Sequence, residues 1–283
     1  MTKIIDLYQE IKNLFKQSDI DSYDLDAKIL IAHLLQLDNP QNVILKFQDD
    51  ADIKISNDLK KLVERRLSGE PIAYIIKYKN FWKQRYFVNS DVLIPRPESE
   101  LIIDVILKEL KDKKREKLKL LDLGTGSGCI ILSLLSELKF SEGIGVDISE
   151  LALQVAKRNG RLFGMEERVK FIRSNWIDGI KRGDTFDIIT CNPPYISDYE
   201  WRTLDRGVKD FEPRIALTDS KDGLSHYQFL LNNIKKISKK TSIIVFEIGY
   251  NQSIYIKKLF EQNNFKVDLY KDIYNIERVA VIK

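Results

Sequence analysis

Several features are scarce in this 283-residue sequence, and each absence narrows the class of protein. Only two cysteines occur, Cys129 and Cys191, far apart in apolar surroundings, which predicts reduced core thiols rather than a disulfide framework. No run reaches the roughly 20 apolar residues of a membrane helix. Charges scattered through the first 16 residues indicate an amphipathic helix rather than a signal peptide. We therefore expect a cytoplasmic protein.

A strong net charge is also lacking. The 46 basic and 42 acidic residues leave +4, so the composition does not suggest a chain that coats nucleic acid. Residues 111–119 are locally rich in Lys and Arg. We favour a solvated helix end and linker there over a nucleic-acid patch, because no aromatic residues interleave with the charges. There is no internal repeat or low-complexity tract.

Residues 1–78 show only helical periodicity and predict a small helical domain. Over residues 1–85 there are 14 basic and 13 acidic residues, a net of +1. The first predicted apolar face is Ile4, Leu7, Tyr8, Ile11 and Leu14. The second is Leu25, Ile29, Leu30, Ala32, His33 and Leu34. A helix over residues 60–67 is predicted to stop at Ser68-Gly69.

Residues 79–97 predict a hairpin and linker. Aromatic and β-branched residues over 81–93 indicate two strands, with the turn at Asn89-Ser90-Asp91. The segment Pro95-Arg96-Pro97-Glu98 follows, and Pro97 can open a helix that begins at Glu98 and runs to about Lys111.

Residues 98–283 are predicted to form an α/β domain, because strand-like and helix-like runs alternate from Leu118 onward. The predicted strands are 118–122, 143–147, 169–173, 186–191, 242–247, 265–270 and 278–282. The predicted helices are 129–138, 151–163, 227–237 and 252–263. The last two strands are joined too closely for a helical crossover and should be antiparallel to each other in an otherwise parallel sheet.

The first candidate site is Asp122-Leu123-Gly124-Thr125-Gly126-Ser127-Gly128, which follows a strand and opens a helix. Glycine there permits a tight turn and close approach of a ligand to the main chain. Asp147 ends the next strand, where a carboxylate can bind both ribose hydroxyls of an adenosine. The spacing fits neither the G-x-G-x-x-G dinucleotide fingerprint nor a P-loop. A plain tight turn is the alternative, but the register of Asp147 favours a nucleoside cofactor.

The second candidate site is Asn192-Pro193-Pro194-Tyr195, directly after the fourth strand. The carboxyl ends of parallel strands near an order switch are where ligands bind, so the motif should face the cofactor. The Asn192 side-chain carbonyl and the Pro193 main-chain carbonyl can accept both N–H bonds of a planar amide or aromatic amine. Tyr195 offers a flat face for stacking. A Pro-Pro turn that merely ends a strand is the alternative.

A third, weaker candidate is Ser174-Asn175-Trp176, just after the third strand. By position, Asn175 and Trp176 could border an adenine. A capped turn with a packed indole explains the same residues nearly as well.

The sequence resembles the HemK/PrmC family of release factor glutamine methyltransferases over nearly its whole length. The resemblance is carried by Arg65-Arg66-Leu67-Ser68-Gly69-Glu70-Pro71, by Ile94-Pro95-Arg96-Pro97-Glu98-Ser99-Glu100, by the glycine loop and by the Asn-Pro-Pro-Tyr motif. Weaker matches are Glu212-Pro213, Asp222-Gly223-Leu224 and Glu247-Ile248-Gly249. The Pro-Arg-Pro-Glu block discriminates most, because other amino-methyltransferases share the two site motifs.

The resemblance implies an α/β, Rossmann-like class I S-adenosylmethionine-dependent methyltransferase domain with a mostly parallel sheet and an antiparallel C-terminal strand. A small N-terminal helical domain would help to grip the release factor, and the acceptor would be the glutamine of its Gly-Gly-Gln motif. The cofactor contacts implied are Gly124, Thr125, Gly126, Ser127, Gly128, Asp147, Trp176 and Asn192. The glutamine would be received by Asn192, Pro193, Pro194 and Tyr195, with Asn192, Pro193 and Tyr195 as the catalytic set. We expect a monomer with no metal site and no direct nucleic-acid substrate.

The sequence departs from the family pattern at three places. Asn175 stands where Asp is usual, Ser99 replaces Thr, and Asp219-Ser220-Lys221 replaces a Gly-Gly pair before Asp222.

Two other functions compete with this hypothesis. A methyltransferase for adenine or guanine amino groups in nucleic acid would share the Asn-Pro-Pro-Tyr chemistry, but should carry a target-recognition domain and a positive surface. A silent cofactor-binding scaffold should have a damaged glycine loop or transfer motif, and both are intact here.

Overall fold

The computed structural model describes residues 2–111 and 115–283, and the chain divides after Lys77 into two compact units. Residues 112–114, within the basic segment 111–119, lie outside the described residues, as does Met1. The first unit is helical. Its helices are α1 (Ile4–Gln17), α2 (Tyr23–Leu34), α3 (Ile53–Leu67) and α4 (Ile72–Ile76), with a 3₁₀ helix at Pro40–Lys46.

The buried face of α2 differs from the predicted one. Leu25 is 45% exposed, whereas Asp26 is buried beside Ala27, Leu30 and Ile31. The Asp26 carboxylate accepts hydrogen bonds from Ser22 Oγ and Arg66 Nε, both at 2.8 Å. A buried carboxylate is tolerated only when it is paired in this way. Hydropathy alone predicts that an aspartate faces solvent and that the neighbouring leucine faces the core. The prediction that Leu25 is buried was therefore wrong.

The second unit, Tyr78–Lys283, opens with a hairpin of β1 (Tyr78–Phe81) and β2 (Gln84–Phe87). A hairpin was predicted, but its turn is at Trp82-Lys83 and not at Asn89-Ser90-Asp91. Trp82 takes a left-handed φ of 54°, and its main-chain N–H donates to Glu100 Oε1 at 2.8 Å. This long-range contact closes a turn that lacks the usual Gly or Asn.

The remaining elements of the second unit form a sheet with helices on both faces. The strands are β3 (Lys119–Leu123), β4 (Glu142–Asp147), β5 (Val169–Arg173), β6 (Phe186–Cys191), β7 (Ser238–Glu247), β8 (Val267–Lys271) and β9 (Glu277–Ile282). The helices are α5 (Glu100–Leu110), α6 (Cys129–Glu137), α7 (Glu150–Leu162), α8 (Asp198–Arg202), α9 (Arg206–Lys209), α10 (Ser225–Asn233) and α11 (Ser253–Glu261). A 3₁₀ turn, Pro97–Ser99, precedes α5.

The strand order is β5-β4-β3-β6-β7-β9-β8. Strands β3 to β7 are parallel, and β9 runs antiparallel to both β7 and β8. The short final connection predicted the antiparallel pairing of β8 with β9. The chain order reverses between β3 and β6, because β4 and β5 lie on one side of β3 and β6 on the other. Ligands bind beyond the carboxyl ends of strands at such a switch point.

One short region was not predicted. Helices α8 and α9 lie between β6 and α10, and the 3₁₀ helix at Arg214–Ala216 that follows them forms a wall next to the switch point. Helices α8 and α9 each have a side-chain N-cap: Ser197 Oγ accepts the Glu200 N–H at 3.2 Å, and Asp205 Oδ1 accepts the Gly207 N–H at 2.7 Å. Elements this short carry too little periodicity to be recognised in sequence.

Within residues 2–111 and 115–283, every helix is too short or too polar to cross a membrane.

Candidate active site

A cavity of about 580 Å³ opens at the switch point, beyond the ends of β3 and β6. Its size lies within the roughly 300–1,000 Å³ of small-molecule sites. The lining residues come from the proline-rich segment, the glycine loop, the ends of β4 and β5, the Asn-Pro-Pro motif and the wall after α9. Residues from separate stretches of sequence therefore meet at the carboxyl ends of the parallel strands.

The glycine loop owes its shape to its glycines and to buried partners beneath it. Gly124, Gly126 and Gly128 all have positive φ, at 70°, 54° and 79°. A Cβ on Gly128 would lie 3.1 Å from the Leu132 side chain and 3.3 Å from that of Ala156. Gly128 therefore permits α7 to pack closely against the start of α6, while Gly124 and Gly126 line the cavity.

The buried side chain of Asp122 stabilises the glycine loop. The Asp122 carboxylate accepts hydrogen bonds from Thr125 Oγ1 and Thr190 Oγ1, both at 2.7 Å. Burial raises the pKa of Asp122 to about 6, against the lowering effect of the two hydroxyls. The carboxylate thus holds Thr125 in the loop while remaining costly to ionise.

The raised pKa of Asp122 should make the folded protein less stable as the pH rises through about 6. An unfolded Asp ionises near pH 4, so between about pH 4 and 6 the folded state binds more protons than the unfolded state. We expect Asp122→Asn to remove a stability change of about 2–3 kcal/mol between pH 4.5 and 7.5, measured by urea unfolding. Asp187→Asn is the control, because its carboxylate pairs with Lys239 at the surface. Equal pH slopes for wild type and Asp122→Asn would contradict this assignment.

Asp147 binds the loop from the side. Its carboxylate accepts the main-chain N–H of Gly126 and that of Ser149, each at 2.9 Å. Burial raises its pKa above the usual range, and the backbone donors oppose that shift. Carboxylate oxygens can each accept more than one hydrogen bond, so Asp147 retains acceptor capacity toward the cavity that it lines.

Ser127 offers the cavity an unused polar group. It is only 2% exposed, and its Oγ has no hydrogen-bond partner among the described residues. Its main-chain carbonyl is fixed by the buried Asn159, whose Nδ2 donates to it at 2.8 Å. An unpaired buried hydroxyl is unfavourable, which marks this point as one where a ligand can supply the missing hydrogen bond.

The third candidate segment forms an aromatic border. Trp176 has a left-handed φ of 52°, and its main-chain carbonyl accepts from Ser174 Oγ at 2.8 Å. Its indole lies 4.9 Å from the ring of His226, a cavity residue that the sequence did not single out. Asn175 also lines the cavity, and its Nδ2 lies 3.4 Å from Asp178 Oδ2. Residues 174–176 therefore form a capped turn and also border the cavity.

The Asn-Pro-Pro-Tyr motif begins directly at the end of β6. Asn192 and Pro194 line the cavity, whereas Pro193 is buried and Tyr195 points into the protein. Asn192 Nδ2 lies 3.3 Å from Ser99 Oγ, and Tyr195 OH donates to Glu247 Oε1 at 3.1 Å. A Cβ on Gly124 would lie 3.9 Å from the Asn192 main-chain oxygen, so the two motifs are neighbours.

The proline-rich segment covers one side of the cavity and is tied to the opposite wall. Arg96 pairs with the buried Glu212 at 2.5 Å, and Glu212 also accepts the Ile94 main-chain N–H at 3.0 Å. Truncating one partner of such a buried pair leaves an uncompensated charge. This pair therefore connects two motifs whose residues Arg96 and Glu212 are 116 positions apart in the sequence.

The loop at residues 219–224 packs directly on the transfer motif. A Cβ on Gly223 would lie 2.2 Å from the Tyr195 main-chain oxygen, and Gly223 has φ 79°, so only glycine fits there. Asp219, which departs from the family pattern, accepts the Lys221 and Gly223 N–H groups at 2.8 and 2.9 Å. The side chain of Asp219 thus organises the turn that a Gly-Gly pair would make by backbone freedom alone.

The predicted site residues divide into two groups. Those that line the cavity are Gly124, Thr125, Gly126, Ser127, Asp147, Trp176, Asn192 and Pro194. Gly128, Pro193 and Tyr195 lie behind them. Sequence reasoning did not assign a site role to Arg96, Ser99, His226 or Glu247, although three of these four stand in the quoted family motifs. Among the described residues, no group of three or more His, Cys, Asp or Glu side chains is placed to hold a metal ion.

Together the sheet order, the glycine loop at the switch point and the adjoining Asn-Pro-Pro motif define a class I methyltransferase. A methyltransferase domain model matches residues 114–278, and a PrmC N-terminal domain model matches residues 6–76. The chain belongs to the family of release factor glutamine methyltransferases. The member from Caulobacter vibrioides is 33% identical over 279 residues, covering 98% of this chain and 95% of that protein. The member from Francisella tularensis is 37% identical over 268 residues, covering 93% and 91%.

Longer relatives and solved structures agree with this class. The bifunctional methyltransferase of Rickettsia prowazekii is 36% identical over 276 residues, 91% of this chain, but the chain spans only 53% of that protein. The hMettl16 catalytic domain, solved with an RNA hairpin, has a TM-score of 0.54 at 12% identity, covering 82% of this chain and 80% of its own. A methyltransferase from Pyrococcus furiosus has a TM-score of 0.51 at 20% identity, covering 77% and 95%. At these identities the two structures show the fold alone.

Proposed function

We propose that this protein transfers a methyl group from S-adenosylmethionine to the side-chain amide nitrogen of the glutamine in the Gly-Gly-Gln motif of peptide-chain release factors. The observation that carries the proposal is the position of Asn192. Its side chain lines the same cavity as the glycine loop, and its NH₂ group faces Ser99. Family membership supplies the identity of the acceptor.

The residues of the cavity fit S-adenosylmethionine. Gly124 and Gly126 leave the loop main chain open to a ligand, and the unpaired Ser127 hydroxyl can bind a polar group such as the methionine carboxylate or amine. Asp147 can accept the ribose hydroxyls, and Trp176 offers an apolar border for adenine. When bound, S-adenosylmethionine supplies an activated methyl group.

The Asn-Pro-Pro-Tyr motif would hold the acceptor glutamine. Asn192 Oδ1 and the Pro193 carbonyl accept the two N–H bonds of the glutamine amide, which turns the face of its nitrogen toward the methyl donor. An amide nitrogen is a poor nucleophile because its lone pair is delocalised. Acceptors fixed at its hydrogens would stabilise the positive charge that develops as the N–C bond forms and the S–CH₃ bond of the donor breaks; S-adenosylhomocysteine would be the leaving group, and one N–H proton would pass to solvent. Tyr195 is proposed to support the pocket from behind, where its hydroxyl donates to Glu247 at 3.1 Å.

We propose that residues 1–78 dock the release factor while residues 98–283 carry the chemistry, with 79–97 between them. The PrmC N-terminal domain match over residues 6–76 supports a dedicated role for the helical region. We further propose that the protein acts in the cytoplasm as a monomer, without a metal ion and without a direct nucleic-acid substrate.

A methyl-transfer assay with labelled S-adenosylmethionine tests the proposal. The acceptors are purified bacterial release factor, the same factor with its Gly-Gly-Gln glutamine changed to alanine, and total RNA and DNA. Label in the intact factor and not in the alanine variant is the expected result. Label in nucleic acid, with the factor untouched, would retain the Asn-Pro-Pro-Tyr chemistry and overturn the glutamine assignment.

A further inference from the structure

The buried carboxylate of Glu247 lies behind the transfer motif, which it contacts directly at Tyr195 and through Ser99 at Asn192. Cys191 and Phe246 are register partners, so the residues that follow them, Asn192 and Glu247, leave neighbouring strands at the same height. Glu247 is only 2% exposed, and it accepts hydrogen bonds from Ser99 Oγ at 2.5 Å and from Tyr195 OH at 3.1 Å. The chemistry proposed above uses neither Ser99 nor Glu247.

The direction of these hydrogen bonds matters more than their number. A serine hydroxyl has one hydrogen, and that of Ser99 is directed to Glu247, so Ser99 Oγ can only accept from other groups. The neighbouring group is Asn192 Nδ2, at 3.3 Å. While Glu247 is ionised and can only accept, the amide NH₂ of Asn192 therefore faces Ser99, and its carbonyl Oδ1 faces the other way, without a partner among the described side chains.

We infer that Ser99 and Glu247 are positioning residues, which lock the Asn192 amide so that it presents its carbonyl oxygen, and not its NH₂ group, to the substrate. This inference rests on the proposed function. If the Asn192 amide were rotated by 180°, its NH₂ group would face the NH₂ group of the substrate glutamine. The glutamine would then lose the acceptor that holds its nitrogen. The pair thus selects an amide N–H donor as substrate through the orientation of the Asn192 amide.

The contact of Glu247 with Tyr195 fits the same role. One carboxylate fixes the first residue of the motif through Ser99 and the last residue directly. Gln252 holds the main chain at the same place, because its Nε2 donates to the Tyr195 carbonyl at 2.9 Å. Side chain and main chain of the motif are therefore fixed independently, and Ser99 can be changed without releasing the backbone.

The test is a double-mutant cycle between Ser99→Ala and Asn192→Ala in the full chain, with release factor as substrate. We expect Ser99→Ala alone to lower kcat about 10-fold, the size of one lost hydrogen bond, with S-adenosylmethionine affinity within about 2-fold. Ser99→Thr should restore kcat, because it keeps the hydroxyl. In the Asn192→Ala background the Ser99→Ala change should have almost no further effect, because Ser99 acts only through Asn192.

A merely structural role for Ser99 would give a different pattern. Ser133→Ala is the matched control, since Ser133 is also a buried serine, hydrogen-bonded to Tyr86 OH at 2.7 Å and outside the cavity lining. If Ser99→Ala multiplies the loss in the Asn192→Ala background, or leaves the wild-type kcat unchanged, the inference is overturned. If Ser99→Ala does not fold, Ser99→Cys keeps the volume with only a weak donor and gives the same comparison. Wild-type protein that does not methylate release factor at all overturns the proposed function and this inference together.

Discussion

Replacement of Asn192 by alanine is expected to lower kcat for release factor methylation by about 10²–10³, the effect of removing one fixed polar group that stabilises developing charge. Asn192 lines the cavity beside the glycine loop, and because its NH₂ group is turned to Ser99, its Oδ1 is left as an acceptor for the substrate. S-adenosylmethionine affinity should change much less, because the loop, Asp147 and Trp176 remain. Single-turnover kinetics with labelled cofactor measures the effect on the chemical step.

The control for this variant is Asn263→Ala. The Asn263 side chain donates to the Leu259 carbonyl at the exposed end of α11, so its loss removes an asparagine without touching the site. Asn263→Ala should retain the wild-type rate. Undiminished single-turnover methylation by Asn192→Ala would mean that Asn192 does not hold the glutamine.

Replacement of Asp147 by alanine is expected to weaken S-adenosylmethionine binding by about 100-fold, measured by calorimetry. Hydrogen bonds to a carboxylate contribute about 1.5–3 kcal/mol each, and Asp147 makes two kinds of hydrogen bond in this assignment. It can accept the ribose hydroxyls, and it already fixes the Gly126 N–H of the loop at 2.9 Å. Alanine removes both contacts, so the cofactor meets a looser loop and lacks an acceptor.

The control is Asp187→Ala, which removes an aspartate from the sheet without changing the cavity. Asp187 lies at the opposite end of β6 and accepts the Lys119 main-chain N–H at 2.9 Å, a contact of the same kind far from the cavity. Its variant should bind S-adenosylmethionine normally. Unchanged affinity in Asp147→Ala would exclude this residue from the cofactor site.

The helical region shows the limit of hydropathy as a guide. The periodicity of α1 predicted the buried Ile4, Tyr8 and Ile11 correctly but placed Leu14 inside, where Phe15 is buried and Leu14 is 37% exposed. Neighbouring apolar residues on a helix differ by 100° in direction, so the sequence alone cannot choose between them. Packing against the other helices makes that choice.

The hairpin shows the same limit for turns. Asn89-Ser90-Asp91 has the composition of a turn and does form one, with the Asp91 N–H donating to Asn89 Oδ1 at 3.2 Å. The strands nevertheless reverse earlier, at Trp82. The hydrogen bond from the Trp82 N–H to Glu100 arises only when α5 is in place, and short-range signals contain no trace of it.

By itself the sequence determined the class of fold, the seven strands of the large sheet and the positions of the two site motifs, because alternating periodicity and Gly or Pro punctuation are local properties of the chain. The tertiary structure alone decided the strand order that makes β3 and β6 neighbours, and with it the meeting of the glycine loop and Asn192. It also decided that Ser99, 93 residues before Asn192, contacts that side chain, and that Glu247, from the neighbouring strand, contacts Ser99. Such contacts depend on packing between distant segments, and no spacing within the sequence records them.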